Sequence, residues 1–167
     1  MSDWVTAYLG LGSNLNGPRA QIERAVAALA RLPGCRGLRS SSLYRNPPMG
    51  PVDQPDFVNA VVALRTRLDP LVLLDQIQGL ERQQGRVRGR YWGERTLDVD
   101  LLLYGDHRVA HARLTVPHPG LPHRAFVLYP LAELADAPPL PGLPALETLL
   151  AGCGGESLEK IAPPPLP

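Results

Sequence analysis

Asp98 and Asp100 stand two residues apart at the head of an apolar run made by Leu97, Val99, Leu101, Leu102 and Leu103. Such a run reads as a strand, in which residues i and i+2 share a face with Cα atoms ~7 Å apart. Two carboxylates on one face can converge on a divalent cation. Magnesium favours hard oxygen ligands and shares its sphere with substrate phosphates. Immediately upstream, Arg86, Arg88, Arg90 and Arg95 are interrupted by Gly85, Gly89 and Gly93, so the basic run reads as a glycine-hinged loop. Guanidinium groups grip phosphate oxygens through forked hydrogen bonds. Acids for a metal and arginines for phosphate together suggest a nucleoside triphosphate. Taken alone, the acidic pair reads more readily as a solvated strand end or as the structural partner of Arg95. The arginines alone also say little, because Lys160 is the only lysine among 17 basic residues. The combination carries the reading.

Phe57 and Asn59 form a second candidate pair on one strand face, suited to stacking a flat heterocycle and bonding its edge. Phe57 as ordinary core and Asn59 as a turn anchor is an equally good account. Phe126 could supply a second aromatic wall. His118 and His123 lie near Arg113, Thr115 and Arg124 in a proline-rich stretch, where they either grip phosphate or are simply solvated. Gly10-Leu11-Gly12-Ser13-Asn14-Leu15 lacks the third glycine of a dinucleotide fingerprint, and its glycines read best as a tight turn; Asn14 could reach a ligand. No G-x-x-x-x-G-K-[ST] motif occurs.

The elements that must position these groups follow from periodicity. Trp4 to Leu11 reads as a strand, followed by a helix with Asn16 as cap, Pro18 in its first turn and Ile22, Val26 and Leu29 at helical spacing. Leu38 to Arg45 reads as one strand, the stretch from Asn46 to Pro55 as a stiff proline loop, and Phe57 to Leu68 as a strong strand. Asp69-Pro70 opens a helix with Leu71, Leu74, Ile77 and Leu80 on one stripe, ended by Gly85. After the arginine loop come a strand over Thr96–Tyr104, a short return strand near Arg108-Val109, and helices over Arg124–Leu134 and Leu146–Leu150. The order is β-α-β-β-α-β, an α+β, ferredoxin-like core with a C-terminal elaboration. One domain over 1–161 and a disordered proline-rich tail over 162–167 are expected.

At 167 residues and 44% apolar, the chain can bury a full core. A net charge of +1 gives no global field for nucleic acid or membrane. Cys35 and Cys153 lack metal spacing and read as free thiols in a reducing cytoplasm. Neither a secretory leader nor an apolar run of membrane-spanning length is read. A ferredoxin-like RNA-binding module would need aromatics on its sheet, where this chain has aliphatics.

Beyond these physical readings, the chain resembles the 6-hydroxymethyl-7,8-dihydropterin pyrophosphokinases from Ala7 to about Leu150. The resemblance rests on Gly12-Ser13-Asn14, on Ser42 to Pro51, on Asp53 to Ala60, on Glu81 to Arg88, on Trp92 to Asp100 with its R-T-L-D-V-D segment, and on Thr115 to His118. It implies a monomeric cytoplasmic enzyme of folate synthesis that moves pyrophosphate from ATP to a pterin alcohol and releases AMP. By the same resemblance, Phe57 and Phe126 would sandwich the pterin ring, Trp92 would also bind it, and Asn46, Asn59 and backbone near Pro47 and Met49 would bond its edge. Asp98 and Asp100 would hold two magnesium ions, and Arg86 and Arg95 would meet the phosphates in transfer. Gln78, Glu81, Arg88, Trp92, Arg95, Leu101, Arg113, Thr115, His118 and Arg124 would line the ATP site. The chain departs from the family pattern at Tyr91, Glu94 and Pro119.

Overall fold

A computed structural model describes residues 4–48, 53–85, 96–134 and 140–165. Among the described residues, eight strands and four α-helices run in the order β1 (Val5–Ser13), α1 (Pro18–Ala30), β2 (Cys35–Ser40), β3 (Leu43–Asn46), β4 (Phe57–Thr66), α2 (Pro70–Gln83), β5 (Asp98–Tyr104), β6 (Val109–His111), β7 (Leu114–Val116), α3 (Ala125–Leu134), α4 (Leu146–Ala151) and β8 (Glu159–Ala162). The main sheet is antiparallel and ordered β5-β1-β4-β3-β8, with β2 also paired to β4. Counting β2 and β3 as one interrupted strand leaves the fourth, first, third and second strands side by side. That is the expected ferredoxin-like core, extended at one edge by β8.

Strand β4 is central, and its side chains divide by parity, as a sheet covered on both faces requires. Val58, Ala60, Val62 and Leu64 join Ala7, Leu9 and Leu11 of β1 beneath Ile22, Val26, Leu29, Leu73, Ile77 and Leu80 of α1 and α2. Val61 and Ala63 face the other way with Tyr8, under Val127, Leu128 and Leu131 of α3 and Leu146 of α4. Among the described residues, helices pack over both faces of β4. Pro18 and Pro70 begin α1 and α2 at positions where a missing N–H costs nothing. Gly85 follows α2 at φ 82°, a left-handed stop that glycine takes without strain.

Several expectations need correction. Asn16 does not cap α1; it sits at φ 56° and Gly17 holds the cap position. The strand expected over Leu38–Arg45 is two strands, because Ser41 leaves regular pairing. The Ser41 hydroxyl accepts the Val61 N–H at 2.9 Å, and the Ser41 N–H donates to the Val61 carbonyl at 2.8 Å. Gly10 and Gly12 lie inside β1, not in a turn. Strands β7 and β8 lie beyond the expected elements, and Ala162, expected in the proline-rich tail, pairs with Leu43 as the last residue of β8. Among the described residues, no helix is long and apolar enough to cross a membrane.

Candidate active site

Parity on β5 sends Val99 and Leu101 into the core beneath α2, while Asp98 and Asp100 stay half-buried on the α3 side. In register, Asp98 lies opposite Gly12 and Asp100 opposite Gly10. Gly12 in turn pairs with Asn59, Asn59 with Tyr44, and Phe57 with Asn46. One face of the sheet therefore carries both acids, two glycines, two asparagines and a phenylalanine in adjacent rows. Helix α3 roofs these rows with Phe126 and Val127, enclosing a cleft that all of these residues line except Tyr44, together with Leu102 and Arg124. The glycines form its floor. A Cβ on Gly12 would stand 2.9 Å from the Asn59 side-chain oxygen Oδ1, so glycine lets that side-chain amide lie flat there.

The amides are arranged for recognition. Asn59 is buried and its amide nitrogen donates to the Asn46 side-chain oxygen, while the Asn46 nitrogen donates to the Pro47 carbonyl at 3.0 Å. Phe57 lies outside both core clusters and is only half-buried. Its ring lines the first cleft. The Asn14 amide donates to Gln54 and to the Pro55 carbonyl, each at 2.9 Å, tying residues 54–55 to the end of β1.

A second cleft of about 370 Å³ opens at the outer edge of β5, lined by Asp98 and Asp100 again with Leu74, Gln78, Glu81, Leu101, Arg113, Thr115 and His118. Arg113 is held at its rim by Asp75 at 2.5 Å and by Gln78 at 3.3 Å. The buried Glu81 carboxylate accepts the Val99 N–H at 2.8 Å, so it fastens the edge strand at the residue between the two acids. His118 accepts the Gly120 N–H at Nδ1 (3.0 Å), which leaves the proton of the neutral ring on Nε2, 3.8 Å from an Asp100 oxygen. Burial and then the Arg124 charge push the His118 pKa below its ordinary value, against an opposing pull from Asp98.

Thus the structure gathers Asn46, Phe57, Asn59 and Phe126 at the first cleft, Gln78, Glu81, Leu101, Arg113, Thr115 and His118 at the second, and both acids at the junction. Arg124, expected with the nucleotide, lines the first cleft and a neighbouring hollow, with its guanidinium 5.8 Å from the Phe126 ring. Pro47 borders that same hollow, not the first cleft. Met49, Arg86, Arg88, Trp92 and Arg95 lie outside the described residues. Sequence reasoning missed Gly10 and Gly12 as cleft floor. The signal was present in their i, i+2 spacing on β1, which matches the spacing of the acids opposite.

An α+β sheet bearing two clefts that meet at a carboxylate pair suits an enzyme that brings two ligands together over the acids. The comparisons with known proteins agree with that class. Residues 8–136 match the model of the 7,8-dihydro-6-hydroxymethylpterin-pyrophosphokinase family. The 2-amino-4-hydroxy-6-hydroxymethyldihydropteridine pyrophosphokinase of Haemophilus influenzae is 45% identical over 95% of this chain and 99% of its own length. That of Pseudomonas aeruginosa is 52% identical over 92% and 95%. In fold, the chain matches the HPPK-DHPS protein of Plasmodium falciparum, crystallised with pteroate, at a TM-score of 0.70 and 16% identity; the match covers 91% of this chain but 43% of that one. The chain belongs to the 7,8-dihydro-6-hydroxymethylpterin-pyrophosphokinase family.

Proposed function

We propose that this chain transfers the terminal pyrophosphoryl group of ATP to the hydroxyl of 6-hydroxymethyl-7,8-dihydropterin, yielding the pterin diphosphate and AMP for folate synthesis. The observation that carries this reading is that Asp98 and Asp100 line both clefts at once. The pterin ring occupies the first cleft between Phe57 and Phe126, with its amide edge on Asn59 and Asn46. The nucleotide occupies the second, so its β-phosphorus and the pterin hydroxyl meet over the two acids. The hydroxyl oxygen forms a bond to the β-phosphorus, the bond from that phosphorus to the α,β-bridging oxygen breaks, and the hydroxyl proton is released.

The acids fit magnesium by donor type, since both are hard carboxylate oxygens on one strand face and leave further coordination to phosphate. Among the described residues, no group of three or more His, Cys, Asp or Glu side chains that could hold a metal ion occurs. We assign two ions to Asp98 and Asp100. Bound there, they would offset the charge on bridging and leaving oxygens and polarise the hydroxyl. The protein's own share is alignment: the aromatic slot and paired amides orient the hydroxymethyl group, and Glu81 holds the acids in register. Arg86 and Arg95 are assigned to phosphate, and Arg88 and Trp92 to the substrates, on the family pattern. A cytoplasmic monomer acting on small molecules completes the reading, and sedimentation equilibrium at micromolar concentration tests the monomer.

The deciding assay measures AMP release from ATP and magnesium with and without the reduced pterin alcohol. Release that requires both pterin and metal, with pterin diphosphate formed in equal amount, is expected. Orthophosphate release, or AMP release indifferent to pterin, overturns the proposal.

A further inference from the structure

Away from both clefts, one carboxylate joins three elements. Glu133, near the end of α3, accepts the Tyr44 hydroxyl from β3 on one oxygen and the Ser42 N–H on the other at 2.9 Å. The Lys160 ammonium of β8 lies 3.7 Å from the same carboxylate and 5.8 Å from the Tyr44 ring. A second tie at this end of the helix runs from the Arg39 guanidinium to the Leu134 carbonyl at 2.7 Å. The C-terminal end of α3 is therefore fastened to the strands by polar contacts.

What this fastening controls follows from spacing. Phe126 and Glu133 are seven residues apart on one helix, hence on one face about 10 Å apart along the axis. Pro130 lies between them and cannot donate to the Phe126 carbonyl, so the turn bearing the aromatic roof lacks one of its helical hydrogen bonds. On the strand side, Tyr44 is two residues before Asn46 on the same face and pairs in register with Asn59. The bond between Glu133 and Tyr44 thus spans from the helix that carries the upper aromatic to the strand row that carries both amides.

We propose that Glu133, acting through Tyr44 and Ser42, is a positioning residue that sets the gap between Phe126 and the Asn46–Asn59 pair, and so the affinity for the pterin. The inference rests on the pterin occupying the first cleft. It assigns no contact between Glu133 and either substrate. The Lys160 ammonium adds a further contact to the same carboxylate from β8.

The test is calorimetric titration of 6-hydroxymethyl-7,8-dihydropterin into the enzyme with magnesium and a non-hydrolysable ATP analogue. The proteins compared are wild type, Glu133→Gln, Tyr44→Phe and the double variant. Each single change is expected to raise the pterin Kd about tenfold, and the double no further, because both remove one shared contact. The nucleotide Kd should stay within about twofold, and in turnover the loss should fall on the pterin KM and not on kcat or the ATP KM. Wild-type pterin affinity in both singles, additive losses, or equal weakening of both substrates overturns the inference. Should either single variant fail to fold, Lys160→Met removes only the ammonium; a pterin Kd raised about threefold supports the proposal, and an unchanged Kd overturns it. A wild-type enzyme that binds no pterin sinks the underlying site assignment instead.

Discussion

Single residues decide the chemistry, and four of them test it: Asp98 and Asp100, shared by both clefts, and Phe57 and Gly12, which line the first alone. Asp98→Asn and Asp100→Asn keep side-chain volume and remove the anion, so each should lower kcat by more than a thousandfold, about 4 kcal/mol of barrier, without shifting the melting temperature. Residual turnover within about tenfold of wild type, near 1.4 kcal/mol, would show that the acids hold no ion. Phe57→Ala removes a half-buried ring outside the core, so pterin affinity should fall while nucleotide affinity holds. Calorimetry showing parallel losses would refute its place in the first cleft. Gly12→Ala places a methyl 2.9 Å from the Asn59 oxygen, and we expect a pterin Kd about tenfold weaker with the ATP KM unchanged. Equal pterin affinity in wild type and variant would mean that the amide can turn aside at no cost. The acids were legible because their spacing matches strand parity. Gly12 was not, because a glycine in a short motif reads as a turn until its partner strands are known.

At the scale of elements, legibility followed local period. Strands β4 and β5 and helix α2 carry their burial pattern within their own residues, and each lies where its periodicity placed it. Ile77 is fully buried under the sheet from α2, so Ile77→Ala should cost about 2–5 kcal/mol in chemical denaturation. A loss below about 1 kcal/mol would mean that α2 does not pack as described. The elements that escaped are those fixed by distant partners. Strand β8 reads Glu-Lys-Ile-Ala before a proline run, a polar tail in isolation, and only the free edge of β3 makes a strand of it. The three residues of β7 alternate buried, exposed, buried, too short a run to stand out before pairing with β6. The break at Ser41 and Ser42 depends on Val61 and Glu133, neither near in sequence. Arg124 went to the other cleft because its place is set by where α3 lies on the sheet.

Over the whole molecule, the polar tie across α3, β3 and β8 should be visible in how stability changes with pH. Burial alone would push the Glu133 carboxyl up, yet hydrogen bonds from Tyr44 and Ser42 and the Lys160 charge outweigh it and hold the pKa below the ordinary 4.5. The unfolded chain then takes up the proton first. This contribution is complete above pH 4.5 and drains away as pH falls through the lower folded value. Melting curves of wild type and Glu133→Gln should differ by a constant amount above about pH 5.5 and converge on acidification. A gap that widens toward acid would reverse the assigned shift.

The order of strands in the sheet also has a consequence for biosynthesis. Strands β5 and β8, which close the two ends of the main sheet, come from residues 98–104 and 159–162, after every strand they protect. While the ribosome is still extending the polypeptide, β1 and β3 each present a bare row of N–H and C=O groups, a template for illicit partners. The nascent protein therefore passes through a sticky adolescence. Stop codons before residue 98 should yield inclusion bodies rather than a dormant pterin-binding fragment.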